Sequence, residues 1–258
     1  MTVAIVRTHG GLGNQLFQVF YGRLLAEQEG IERLVRIHDA RYKHGFQGSE
    51  IFQGLSDQTG SLRSAISALR IPKVLTRLLP GSTEVIRLPG TILIDGYFQR
   101  SEDYARFPEP KVAAGIARIR NEFGIIRGQG KGHLTHLRLG DFFTTEAAQV
   151  AHLNDRLDAI PAGGAIITNR DDLLTNALDN PVYRDRFEHI DTSDITTEDL
   201  VRLMARYAVL DTNDSTLAFW ASLLSGSELH LSEERIKRLM VTLRAADAGS
   251  NAIESKGI

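Results

Sequence analysis

The sequence predicts an α/β chain of two halves, each a parallel sheet covered by helices. Three observations carry this. Short apolar runs alternate with segments of helical periodicity along the chain, which is the pattern of successive βα units. The first of those runs, Val3 to Val6, is continuously apolar rather than alternating, as strands buried on both faces are. The third is length: 258 residues suffice for two compact cores, and a glycine-rich stretch lies near the middle.

The elements follow in order. Val3-Ala4-Ile5-Val6, bounded by Gly10-Gly11, reads as a buried parallel strand. Asn14 then starts a helix, with Leu16, Phe17, Phe20, Leu24 and Leu25 at helical spacing. Leu34 to Ile37 is a second strand, and Leu62 to Leu79 a basic helical stretch interrupted by Pro72. Thr91 to Ile94 is a strand that runs into Asp95-Gly96-Tyr97-Phe98-Gln99, and Lys111 to Phe123 is a helix. Gly124 to Gly132 is the linker, so the expected domains are 1–128 and 129–258. Beyond it, strands are expected at His133 to Leu137, Ala165 to Thr168, Phe187 to Ile190, Ala208 to Leu210 and Glu228 to Leu231. Helices fall between them at Asp171 to Leu178, Thr197 to Tyr207 and Ser215 to Leu224. A last helix spans Glu233 to Ala246, followed by a loose polar tail. Two such halves would face each other across a cleft, with ligands beyond the carboxyl ends of strands.

Composition narrows the function. The chain has no cysteine, which excludes disulfides, thiolate metal sites and a thiol nucleophile. Its net charge is −2 with both signs mixed along the chain, so no basic face marks a nucleic-acid partner. No apolar stretch reaches the ~18 residues of a bilayer span, and no cationic leader precedes the first strand, so a cytoplasmic protein of bacterial type is expected. The basic stretch Arg63 to Arg77 reads as an amphipathic core helix with a solvated face; peripheral contact with an anionic membrane is the alternative. Asp-x-Asp is absent and the eight histidines do not cluster with carboxylates at ligand spacing, so the expected site uses no metal.

Three loops follow strands. In His9-Gly10-Gly11-Leu12-Gly13-Asn14-Gln15, glycines let backbone approach a ligand and the helix start offers N–H groups to an anion. A third fingerprint glycine and a Walker lysine are both missing. The loop is therefore either a ligand site or a plain tight turn with Asn14 as helix cap. In His136-Leu137-Arg138-Leu139-Gly140-Asp141, alternation puts His136 and Arg138 on one face. An arginine there can grip a phosphate bidentately, or pair with Asp141 for structure alone. In Asp211-Thr212-Asn213-Asp214-Ser215-Thr216, the last three are good cap residues, and the same hydroxyls and amides would serve a diphosphate.

Taken together, these loops resemble the alpha-1,2-fucosyltransferases, glycosyltransferase family 11. Gly10 to Gln18 reproduces that family's Gly-Gly-Leu-Gly-Asn-Gln-[Leu/Met]-Phe-Gln, and His136 to Phe142 its His-x-Arg-x-Gly-Asp-Tyr with Phe142 for tyrosine. Gly96 to Gln99 matches Gly-Tyr-[Phe/Trp]-Gln, and Asp214 to Trp220 matches the carboxy-terminal Asn-Ser-[Ser/Thr]-Phe-Ser-Trp-Trp weakly. The resemblance implies a GT-B fold of two Rossmann-like halves and an inverting, metal-independent transfer of fucose from GDP-fucose, with no cofactor besides that donor. It implies that Arg138 neutralises the leaving β-phosphate while His136, Gly140 and Asp141 shape its site. Asp214, Ser215 and Thr216 would meet the diphosphate at the helix start. Asn14, supported by Gly11, Gly13 and Gln15, would lie near the sugar and the acceptor hydroxyl. A glycan acceptor is the expected partner. For a general base, Asp39 and Asp95 stand near strand ends. The competing readings are a fucosyltransferase of other linkage (alpha-1,6-like), a different sugar donor, and a GDP-sugar-binding protein without turnover.

Overall fold

A computed structural model describes residues 2–38, 51–53, 55–56, 58–61, 84–140 and 143–254. Among these, the strands form two five-stranded sheets, and the chain divides into two compact units.

The first unit opens with β1 (Val3–Thr8), α1 (Leu12–Gln28), β2 (Arg33–His38) and β3 (Gln58–Ser61). A hairpin of β4 (Glu84–Leu88) and β5 (Thr91–Asp95) follows, then α2 (Ser101–Tyr104) and α3 (Glu109–Phe123). Sheet order is β3-β2-β1-β5-β4. β1 lies between parallel partners β2 and β5 and is buried along its whole length, which its apolar run requires. The sheet departs from the all-parallel expectation at its edge. β4 and β5 are antiparallel because only the Pro89-Gly90 turn joins them, with Gly90 at φ 73°, and a connection so short cannot form a parallel crossover.

α1 is buried on nearly every side, as an apolar helix packed against a sheet and another helix must be. A Cβ at Gly22 would lie 3.3 Å from Val6, and one at Gly115 would lie 2.6 Å from the Phe20 ring. Both glycines therefore set how closely α1 approaches its neighbours.

The second unit contains β6 (His133–Leu137), α4 (Glu146–Ala159), β7 (Ala165–Thr168), α5 (Asp171–Leu178) and β8 (Glu188–His189). It continues through α6 (Thr197–Met204), β9 (Val209–Thr212), α7 (Thr216–Ser225) and β10 (Glu228–His230). Its sheet, β10-β9-β6-β7-β8, is parallel throughout. Leu137, Leu153, Leu157, Ile166 and Leu174 anchor the core beneath α4 and α5. Phe219 and Trp220, in the weakly matching carboxy-terminal motif, are fully buried in α7 and serve packing.

The unit boundaries differ from the expected 1–128 and 129–258. The first unit is Met1–Gly124 together with Arg235–Ile258, and the second is Ile125–Glu234. Gly124, at φ 63°, ends α3 in the left-handed conformation that glycine tolerates, and the chain changes unit there. The glycine-rich stretch behind it is tied into the second unit, with Gly128 N–H donating to Ser225 O at 2.8 Å and Lys131 N–H to Arg206 O at 2.9 Å. The last helix, α8 (Glu234–Glu254), extends past Ala246 and holds Asp247 against Arg120 of α3 at 2.7 Å. The basic stretch from Leu62 to Leu79 lies outside the described residues.

Both sheets share one topological property. The chain winds outward from a central strand (β1 to β2 and β3; β6 to β7 and β8) and later adds a strand on that strand's other side (β5; β9). Each sheet thus has a switch point, between β1 and β5 and between β6 and β9, the place where open α/β sheets bind ligands.

Candidate functional site

At the switch point of the first sheet, the loop after β1 meets the loop after β5. Helix α1 begins at Leu12 rather than at Asn14: Gly11 is its cap residue, with no side-chain cap bond, and Gly13 is buried in the first turn. Asn14 is therefore not the cap. Its Oδ1 accepts from Gln99 Nε2 at 2.8 Å. Gln15 is fully buried and donates Nε2 to Gly10 O at 2.8 Å, so its amide holds the loop's own backbone. Gly10 has φ 76°, and a Cβ there would lie 2.6 Å from Asn14 Nδ2.

The partner loop is strained. Phe98 occupies the left-handed region at φ 49°, a conformation bulky residues avoid. Its ring stacks on Tyr21 at 3.9 Å and 8°, and its carbonyl accepts from Tyr104 Oη at 3.0 Å. These contacts offset the strain and bring Gln99 to Asn14, with the Tyr97 ring edge-on to His9 at 4.5 Å. Asp95, a candidate base, is instead buried against Arg7 at 2.8 Å. Asp39 lies outside the described residues.

At the second switch point, Arg138 leaves β6 beside the turn from β9 into α7. Its backbone N–H donates to Asn213 Oδ1 at 2.8 Å, and its carbonyl accepts from Asn213 Nδ2 at 2.7 Å. On the β7 side, Asn169 Oδ1 accepts from Leu139 N–H at 2.8 Å and Gly140 N–H at 3.3 Å. Ser215 caps α7, its Oγ accepting from Ala218 N–H at 3.4 Å, and Thr216 is the first helical residue. Asp214 is turned elsewhere. At φ 61° its carboxylate accepts from Ser232 N–H at 3.1 Å, Glu233 N–H at 2.9 Å and the Ser232 hydroxyl, which makes it a strut toward the start of α8. Asp141 lies outside the described residues.

Beside the end of β6 is a cavity of about 370 Å³, lined by His136, Ile167, Thr168, Asp171, Thr192 and Leu200 among others. It opens at the carboxyl ends of β6, β7 and β8. His136 is buried; burial first, then the Arg138 charge, hold its pKa down at about 4, so the ring is neutral at ordinary pH. Its Nδ1 has no hydrogen-bond partner among the described residues, and a buried ring nitrogen left so invites a polar ligand atom. Asp171 Oδ1 contacts His189 Nε2 at 2.9 Å, fixing that carboxylate at the rim. Among the described residues no three His, Asp or Glu side chains are grouped to hold a metal ion, and no described helix is long and apolar enough to cross a membrane.

Arg138, His136, Gly140 and Ser215 are thus gathered in the second unit, and Asn14, Gln15 and the glycines in the first. The sequence reading missed Asn169, Asn213 and the cavity residues Asp171 and Thr192. Asn213 stood in a quoted loop without a stated role. Gln99 was legible through its motif, without a stated role.

No family model and no curated protein matches the chain. Among solved structures it is similar to the alpha-1,6-fucosyltransferase NodZ co-crystallised with GDP, at 14% identity and TM-score 0.47 over 87% of this chain and 92% of that one. NodZ from Bradyrhizobium gives 14% and 0.46, over 87% and 93%. A mutant of Arabidopsis thaliana FUT1 in complex with GDP is 10% identical with TM-score 0.49, over 91% and 71%. E. coli heptosyltransferase WaaC with an ADP-heptose analogue is 11% identical with TM-score 0.43, over 99% and 100%. The chain itself is an α/β protein of two Rossmann-like units, as the GT-B expectation requires.

Proposed function

We propose that this protein is an inverting, metal-independent glycosyltransferase that moves L-fucose from GDP-fucose to a sugar hydroxyl, forming an alpha-1,2 link to a galactoside. One observation carries the reading: Arg138 stands at the switch point of the second sheet, beside the capped start of α7 and two residues from His136, which lines a cavity of about 370 Å³. A guanidinium and a helix amino terminus suit a diphosphate, and the cavity suits the base attached to it. The motif resemblance supplies the donor's identity.

In this reading the acceptor oxygen bonds to the anomeric carbon as the bond from that carbon to the β-phosphate oxygen breaks. GDP leaves with the bonding electrons, and the acceptor proton departs late, through the phosphate. Arg138 stabilises the charge that grows on the leaving oxygen, the part a metal plays in other enzymes. Asn14, held by Gln99, orients the sugar or acceptor from the first unit without taking the proton, since an amide is no base at neutral pH.

Calorimetric titration with GDP, GDP-fucose and GDP-mannose in EDTA tests the donor. Binding of GDP and GDP-fucose, strongly weakened in Arg138→Ala, supports it, whereas no binding by any guanine nucleotide refutes it. Linkage analysis of the product from a lactose-type acceptor then separates alpha-1,2 from alpha-1,6 transfer.

A further inference from the structure

The chain holds Arg138 in an unusual way, and we infer that Asn213 is a positioning residue that sets the guanidinium for the diphosphate. This rests on the donor site proposed above.

The pairing of β6 with β9 ends at His136 opposite Thr212. One step further the ladder would need Asn213 backbone, but there the chain leaves the sheet: Asp214 turns to φ 61° and α7 begins. The Asn213 side chain takes over. Its amide offers an acceptor oxygen and a donor nitrogen, as a peptide does, and uses both on the two polar groups of the Arg138 backbone, at 2.8 and 2.7 Å. From the opposite flank Asn169 accepts the next two N–H groups. The peptide that carries Arg138 is therefore fixed on both sides by side-chain amides rather than by strands.

Asn213 is itself held. Its neighbour Asp214 accepts from Ser232 and Glu233, and Ser215, two residues on, caps α7. One side chain thus links the guanidinium's backbone to the amino terminus of α7, so that both halves of the proposed diphosphate site keep one spacing. Asn169 takes the N–H groups of Leu139 and Gly140 and leaves the N–H and carbonyl of Arg138 itself to Asn213. Preorganised charge of this kind stabilises a transition state without reorganisation during the reaction.

The test is a double-mutant cycle on the full chain, with GDP and with inorganic pyrophosphate as probes. Asn213→Ala is expected to weaken both roughly tenfold, the scale of two lost hydrogen bonds, and to have little further effect in an Arg138→Ala background. Asn213→Asp, which keeps the acceptor and loses the donor, provides a second variant if the alanine form folds poorly. Amide exchange at Arg138 should quicken in both, while Leu139 and Gly140 keep their protection. With acceptor present, kcat should fall and the acceptor KM should hold. Equal losses of affinity in both backgrounds would mean that Asn213 supports the fold generally, and would overturn the inference. So would unchanged GDP affinity alongside faster exchange. If the parent protein binds neither GDP nor pyrophosphate, the donor site itself falls and this inference with it; parent binding that Asn213→Ala leaves intact sinks the inference alone.

Discussion

Gln99 donates its side-chain amide to Asn14 Oδ1 at 2.8 Å across 85 positions of sequence. This bond joins the loops after β1 and β5 at the switch point of the first sheet. It also leaves the Asn14 amide nitrogen turned toward Gly10, where a Cβ would lie 2.6 Å from it.

Gln99→Ala and Gly10→Ala should therefore share a phenotype, one by removing Asn14's partner and the other by crowding it. Transfer is expected to fall about tenfold or more, the scale of one lost or misdirected hydrogen bond in a site. Affinity for GDP, which is assigned to the second unit, should hold. Steady-state kinetics beside GDP titration of each variant checks this, and an equal loss of GDP affinity would contradict the assignment of Asn14 to the acceptor side.

Arg138→Ala should lower kcat by at least ~10²–10³, the usual cost of removing an anion stabiliser. Arg138→Lys should recover only part of it, because an ammonium lacks the bidentate fork. Single-turnover transfer from GDP-fucose in EDTA measures both. Full activity in the alanine variant would remove Arg138 from the chemistry.

His136 predicts a pH dependence of stability. Its folded pKa, about 4, lies below the ordinary value of 6.5, because burial and then Arg138 disfavour the charged ring. Between those values the unfolded chain binds a proton that the folded one refuses, so stability is fully present above pH 6.5 and falls as pH drops toward 4. The loss is on the order of 3 kcal/mol. Urea unfolding of the parent and His136→Gln from pH 4 to 7 should show the variant flatter on the acid side; parallel curves would mean that His136 does not set the slope.

Asp95→Asn should be costly to the fold and mild to the chemistry. The Arg7–Asp95 pair is buried on both sides at 2.8 Å, and taking the charge from one side of a buried pair costs roughly 3–5 kcal/mol. Denaturant midpoints give that number, and kcat per folded molecule should stay near the parent's. A collapse of kcat with intact stability would instead mark Asp95 as the base.

Most of the architecture was legible because βα alternation is written in apolar periodicity that tertiary context reinforced. β4 was not, since an edge strand carrying Arg87 among apolar residues lacks the continuous run that marks a buried one. α4 escaped for a related reason: it buries little beyond Gln149, Leu153 and Leu157, so its apolar stripe is thin. In the site, residue types were readable and directions were not. Asp214 and Ser215 are both cap residues by type, yet only Ser215 caps, because the left-handed backbone at Asp214 turns its carboxylate toward Ser232. Asn213 and Asn169 act on a peptide remote in sequence, and a single chain carries no local mark of such a contact.

The return of α8 to the first unit has a bearing on the order of synthesis. The second unit is one continuous stretch, Ile125–Glu234, while the first is completed only by residues that follow it. On a ribosome the later unit can therefore close first. The earlier one must wait with the Arg120 side of α3 uncovered until Asp247 emerges. A stop codon ahead of Asp247 would thus injure the unit that is translated first, although the lost residues are translated long after it.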